Sequence, residues 1–151
     1  MLQIPGPPNA DSLTIGSPAQ VLTFARQAFA EMIGHAYNGY PLEACGLLVG
    51  SGARVHRFVA CTNEAASARV YTIPAKELFR AERDAEDAGM QVVGVFHSHT
   101  HSEPYPSPTD VSQAPDPDWH YVIVSLKRDA PETRSYRIVG PQVFEERVAV
   151  I

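Results

Sequence analysis

Four of the six histidines fall between residues 97 and 120, and three of them, His97, His99 and His101, occupy alternate positions. Residues two apart in a β-strand point to the same face, and the segment that ends on the first two, MQVVGVFHSH (90–99), is strongly apolar. His97 and His99 can therefore present two imidazoles to one point. Zinc accepts neutral imidazole nitrogen at about 2.0–2.1 Å and carboxylate oxygen at about 2.0–2.2 Å. Asp110 follows His99 by eleven residues, across a proline-rich loop able to fold back. It would complete a His2Asp set with a fourth position open to water. Ser107-Pro108-Thr109-Asp110 also reads as a capping box, with Ser at the N-cap, Pro at the first helical position and Asp two residues on. An H-x-H pair alone is common by chance in such a chain. The serine and aspartate at fixed offsets are what make it informative.

His97-Ser98-His99, seven further residues, and then Ser107-Pro108-Thr109-Asp110 resemble the JAMM (MPN+) metallopeptidase motif H-[ST]-H-x7-S-x2-D. Upstream, Tyr40-Pro41-Leu42-Glu43-Ala44-Cys45-Gly46-Leu47-Leu48-Val49-Gly50 resembles the segment that carries this family's catalytic glutamate. The resemblance implies one Zn2+ per chain on His97, His99 and Asp110, Glu43 as general base, and Ser107 as hydrogen-bond donor to the oxyanion. Zinc so held makes hydroxide available near neutral pH. Spacing alone would favour Glu103, which is nearer the histidines. Only the resemblance selects Glu43, 54 residues before His97. The family hydrolyses amide bonds at the C-termini of ubiquitin-like proteins. A short, single-domain form resembles its bacterial branch, in which some members remove an amino acid, notably cysteine, from a small sulfur-carrier protein. The implied substrate is thus a ubiquitin-like carrier, with cysteine released in a biosynthetic pathway. A desampylase-like or deubiquitinase-like isopeptidase on lysine-linked conjugates is the alternative. A non-catalytic scaffold and a structural zinc module, the latter closed by His101, are the non-enzymatic ones.

His101 otherwise reads as a loop histidine or substrate contact. His35, His56 and His120 read as structural, Trp119 and Tyr121 as core or pocket wall, and Ser98 as a structural hydrogen-bond former pointing away from the metal. Cys45 and Cys61 sit in apolar, strand-like stretches and are expected to be buried free thiols.

The elements that must position these residues follow from hydrophobic period and punctuation. Residues 1–16 are expected to form an extended N-terminal arm, and the resemblance implies a JAMM/MPN+ metallopeptidase domain over 17–151. Ser17-Pro18 reads as the start of an amphipathic helix over 18–36. Strands are expected at 44–50, 54–60 and 70–73, a second helix at 75–88, a strand at 90–99 and a short helix near 108–113. Strands at 120–127, 134–139 and 143–151 complete the chain. The pattern is α/β, a single domain with a mixed central sheet flanked by helices; the resemblance implies the JAMM/MPN, cytidine-deaminase-like form.

Composition limits the partners. The chain has 151 residues, 44% hydrophobic and 19% charged, with a net charge of −5. Without clustered Lys and Arg, nucleic acid and anionic membranes are poor partners. No apolar run approaches the roughly 20 residues that span a bilayer, and no signal or transit peptide is recognisable, so a cytoplasmic location is expected. Ten arginines against two lysines, with abundant alanine and proline, suggest a GC-rich bacterial genome. The sequence leaves oligomeric state open.

Overall fold

The computed structural model describes residues 20–151. The expected arm and the Ser17-Pro18 helix start lie outside the described residues. The elements are β1 (Val21–Phe24), α1 (Arg26–Gly39), β2 (Cys45–Ser51), β3 (Arg54–Cys61), α2 (Ala75–Asp87), β4 (Gln91–His99), α3 (Pro108–Ser112), β5 (His120–Ser125), β6 (Glu132–Val139) and β7 (Gln142–Val150).

The strands make one mixed sheet in the order β1-β3-β2-β4-β5-β6-β7. Pairing is parallel at β1/β3, β4/β5 and β1/β7 and antiparallel elsewhere. The β1/β7 contact closes the sheet on itself.

That closure explains the main departure from expectation. Residues 21–24, expected within a helix over 18–36, are a strand, and the first helix among the described residues starts at Arg26. Val21, Leu22 and Ala25 suit a helical stripe, but Val21–Phe24 pair along their whole length with Arg147–Val150, and Thr23 and Phe24 also pair with the start of β3. Leu22 and Phe24 become fully buried as a result. Removing that apolar area from water, at about 25 cal/mol per Å2, outweighs a helical propensity difference of a few tenths of a kcal/mol.

Residues 70–73 are the second departure, belonging to no strand and paired with none. The Asn63 side chain claims their backbone instead. It donates to Val70 O (3.0 Å) and accepts from Thr72 N–H (3.0 Å), which takes these groups out of any ladder.

The core lies on both faces of the sheet. Ala28, Met32 and Ala36 of α1 pack with Leu48, Phe96 and Val122, whereas Ala81 of α2 packs with Leu47, Val95 and Tyr121. Adjacent strand residues, such as Leu47 and Leu48, serve opposite faces, as the pleat requires. Both faces of β2 and of the second half of β4 are therefore covered, which is why these segments read as continuous apolar runs. Gly94 allows β4 to lie close against β5, since a Cβ there would strike the His120 carbonyl.

Candidate metal centre

Strand register places the first three side chains. β2 runs antiparallel to β4 with Cys45 opposite His97, so continuing the register sets Glu43 opposite His99. The pairing does continue beyond β2: Ser98 N–H donates to Ala44 O (2.9 Å) and Ala44 N–H donates to Ser98 Oγ (2.8 Å). Opposed residues share a face, so Glu43, His97 and His99 converge although far apart in sequence. Ser98 has the structural role its alternation suggested.

The fourth and fifth side chains come from α3. Ser107 Oγ accepts from Asp110 N–H (3.0 Å), and Ser107 N–H donates to Asp110 Oδ2 (2.8 Å), so the capping box is formed. That box aims Asp110 at the histidines. Its Oδ2 lies 3.1 Å from His97 Nε2 and 3.3 Å from His99 Nε2, and the two Nε2 atoms are 3.2 Å apart. Among the described residues these three form the one group with metal-ligating geometry.

The set fits zinc. Tetrahedral ligands at about 2.0–2.1 Å stand about 3.3 Å from one another, and the three donor atoms match that spacing. His99 Nδ1 lies 2.7 Å from the Glu103 carbonyl. A carbonyl can only accept, so Nδ1 carries the proton and Nε2 turns its lone pair toward Asp110, the arrangement typical of a metal-ligating imidazole. Tyr71 stacks on His97 with ring centroids 4.5 Å apart and planes at 18°, which fixes that ring's orientation.

Electrostatics agree with a cation at this point. Burial favours the neutral form of His97. Burial acts the same way on His99, but Asp110, the Glu103 carbonyl and Glu43 outweigh it and raise its proton affinity. Burial also opposes charge on Asp110, yet its contacts with His97 and His99 hold it well below the usual carboxylate range. Glu43 is different. It is 4% exposed, its Oε1 has no hydrogen-bond partner, and burial lifts it to about 7 despite the opposing pull of His99. A carboxyl in that condition can exchange a proton near neutral pH.

Two cavities adjoin the centre. One, of about 610 Å3, is lined by Glu43, Arg69, His99, His101 and Ser107 among others. The second, about 220 Å3, is largely apolar and reaches Asp110 past Tyr71, Val95 and Trp119.

All five side chains expected from the sequence thus meet in one place. Glu103 is not among them: its carboxylate is exposed and paired with Lys127 and Arg128, which lower it to about 2. His101 stands at the mouth, 3.3 Å from the Tyr40 hydroxyl, and is not part of the ligand group. His35 bonds to the Cys45 carbonyl, and His120 makes a 2.5 Å contact with Glu146, so both act structurally. Both cysteines are buried and free. Tyr71 and Arg69 are absent from the sequence reading, because neither belongs to a motif and segment 70–73 was expected to be a strand.

Residues 25–139 match the family described as prokaryotic homologs of the JAB domain. The chain belongs to that family. Over 134 residues it is 41% identical to the CysO-cysteine peptidase of Mycobacterium tuberculosis, covering 87% of this chain and 92% of that one. It is 38% identical over 138 residues to the desampylase of Haloferax volcanii, covering 85% and 96%. A solution structure from Desulfitobacterium hafniense superposes with a TM-score of 0.77 at 32% identity, covering 87% and 93%. This JAB-family chain is accordingly a JAMM-type peptidase. No helix among its described residues is long and apolar enough to cross a membrane.

Proposed function

We propose that this JAB-family protein is a zinc-dependent peptidase that hydrolyses the amide bond at the C-terminus of a ubiquitin-like sulfur-carrier protein, releasing cysteine from a carrier–cysteine adduct. The observation that carries the reading is the convergence of His97 Nε2, His99 Nε2 and Asp110 Oδ2 beside the buried Glu43 carboxylate, whose Oε1 has no partner. In this reading His97, His99 and Asp110 hold one zinc ion per chain. Zinc supplies a Lewis acid that polarises the scissile carbonyl and acidifies the attacking water. Glu43 takes the proton from that water and returns it to the leaving amine, a role that suits a buried carboxyl with a free oxygen beside the ligand group. Ser107 Oγ spends an acceptor site on Asp110 N–H, so its hydroxyl proton stays free to donate to the oxyanion. Capping and catalysis are compatible duties of one side chain.

Choice of substrate draws on the peptidase relative, and the desampylase relative supports a second reading: isopeptide cleavage of lysine-linked conjugates. The two separate in one assay. Zinc-loaded protein is incubated with a carrier extended by C-terminal cysteine and with a lysine-linked carrier conjugate, and the products are weighed by mass spectrometry. Cysteine release without isopeptide cleavage is expected. Isopeptide cleavage alone would transfer the assignment to the second reading.

A further inference from the structure

The hydrolytic chemistry leaves one charged residue of the site mouth without a task. Arg69 lines the 610 Å3 cavity together with Glu43, His99 and Ser107. Its guanidinium makes no ion pair or hydrogen bond with another described residue. Yet its backbone is held tightly. Ser67 Oγ accepts from Arg69 N–H (3.0 Å) and Val70 N–H (3.3 Å). On one side of Arg69, the Ser67 carbonyl accepts from Glu43 N–H (2.8 Å) and the Ala68 carbonyl from the Thr100 hydroxyl (3.5 Å). On the other, Tyr71 stacks on His97. The chain around Arg69 is therefore pinned to the general base, to the neighbour of one metal ligand and to the ring of another. Arg69 itself is exposed, and these ties fix the backbone from which its side chain rises at the cavity wall.

We propose that Arg69 binds the free α-carboxylate of the amino acid being released, so that the site selects linear C-terminal adducts over lysine-linked conjugates. This inference rests on the peptidase reading above and names what that site recognises. In a linear adduct the terminal carboxylate is carried by the Cα attached to the scissile nitrogen, so its carbon lies two bonds, about 2.5 Å, beyond that nitrogen. In a lysine-linked conjugate the nitrogen continues into four methylenes, and no carboxylate stands at that place. The planar guanidinium matches a carboxylate in a paired, charge-assisted geometry that an ammonium cannot reproduce. The acidic groups of the centre do not take up this charge: Asp110 is engaged by His97, His99 and Ser107, and neither it nor Glu43 pairs with Arg69.

The test compares a carrier ending in cysteine with the same carrier ending in cysteine amide, using zinc-loaded wild type, Arg69→Gln and Arg69→Lys, each checked for equal zinc content. Wild type should prefer the acid at least about tenfold in kcat/KM, equivalent to about 1.4 kcal/mol. Arg69→Gln should erase the preference by lowering turnover of the acid much more than that of the amide, and Arg69→Lys should restore part of it. Equal use of acid and amide by wild type, or a parallel fall on both substrates in Arg69→Gln, overturns the role of Arg69 while leaving the peptidase reading intact. If wild type cleaves lysine-linked conjugates and leaves the linear acid untouched, the peptidase reading itself fails, and the role of Arg69 with it.

Discussion

Glu43→Gln separates what the carboxylate costs from what it does. The side chain is buried with one oxygen unpartnered, and desolvation raises it from 4.5 to about 7. A folded-state value above the unfolded one means that folding favours the neutral acid. That contribution is present in full below pH 4.5 and is lost as the pH rises through 7. At 1.36 kcal/mol per pH unit, holding the ionised carboxylate in place costs up to about 3 kcal/mol above pH 8 and less than about 1 kcal/mol at pH 5. The cavity beside the carboxyl opens it to solvent, which lowers this cost. Glutamine keeps the shape and removes the ionisation. In metal-free protein the substitution should raise Tm by roughly 5–10 °C at pH 8.5 and by little at pH 5, taking about 2–4 °C per kcal/mol for a domain of this size. Zinc should narrow the gap, because its charge stabilises the carboxylate. The zinc-loaded variant should lose turnover by about 10^2–10^4-fold. Differential scanning fluorimetry across pH, with chelator and with zinc, reads the first effect, and a cleavage assay the second. A Tm difference that does not change with pH, or a variant less stable at pH 8.5, refutes the reasoning.

Other expectations test other parts of the account. Ser107→Ala should lose about 1 kcal/mol of stability as a cap and about 10^2–10^3-fold in turnover as an oxyanion donor; chemical denaturation and kinetics on the same sample separate the two, and a stability loss with normal turnover would leave Ser107 a cap alone. Cys45 and Cys61 are both pushed up to about 12, chiefly by burial, so a thiol reagent at pH 8 should label neither in the native protein and both after denaturation; rapid native labelling of either contradicts this burial. At the opposite end of β5 from the metal centre, Glu146 Oε2 receives both His120 Nδ1 (2.5 Å) and the Ser135 hydroxyl (2.7 Å). Glu146→Gln should therefore cost about 1.5–3 kcal/mol in urea unfolding while zinc content and turnover of the folded enzyme stay unchanged; a matching loss of activity would tie that pair to the site.

The candidate ligand group and most of the fold were legible in the sequence because they depend on local signals. The H-x-H pair rides on a strand whose apolar run and alternation are plain, and the capping box that forms α3 also aims Asp110. What was not legible depends on long-range pairing. Residues 21–24 satisfy a helical stripe and a strand alternation equally well, and the deciding partner, Arg147–Val150, lies at the other end of the chain. Glu43 becomes a neighbour of His99 only through the register of β2 on β4, so no spacing rule could prefer it to Glu103. Tyr71 and Arg69 reach the site because the Asn63 and Ser67 side chains hold residues 67–72 out of the sheet. Such a side-chain-built loop has no periodicity to read.

The most direct test of the central claim is turnover of a carrier–cysteine adduct measured against zinc content, as metal is stripped by chelator and returned by titration. The account predicts that cysteine release vanishes with the metal, returns in proportion to zinc, and saturates at about one zinc per chain, in line with three protein ligands and one open position. Full activity in metal-free protein, or failure of the wild type to bind zinc stoichiometrically, would contradict it.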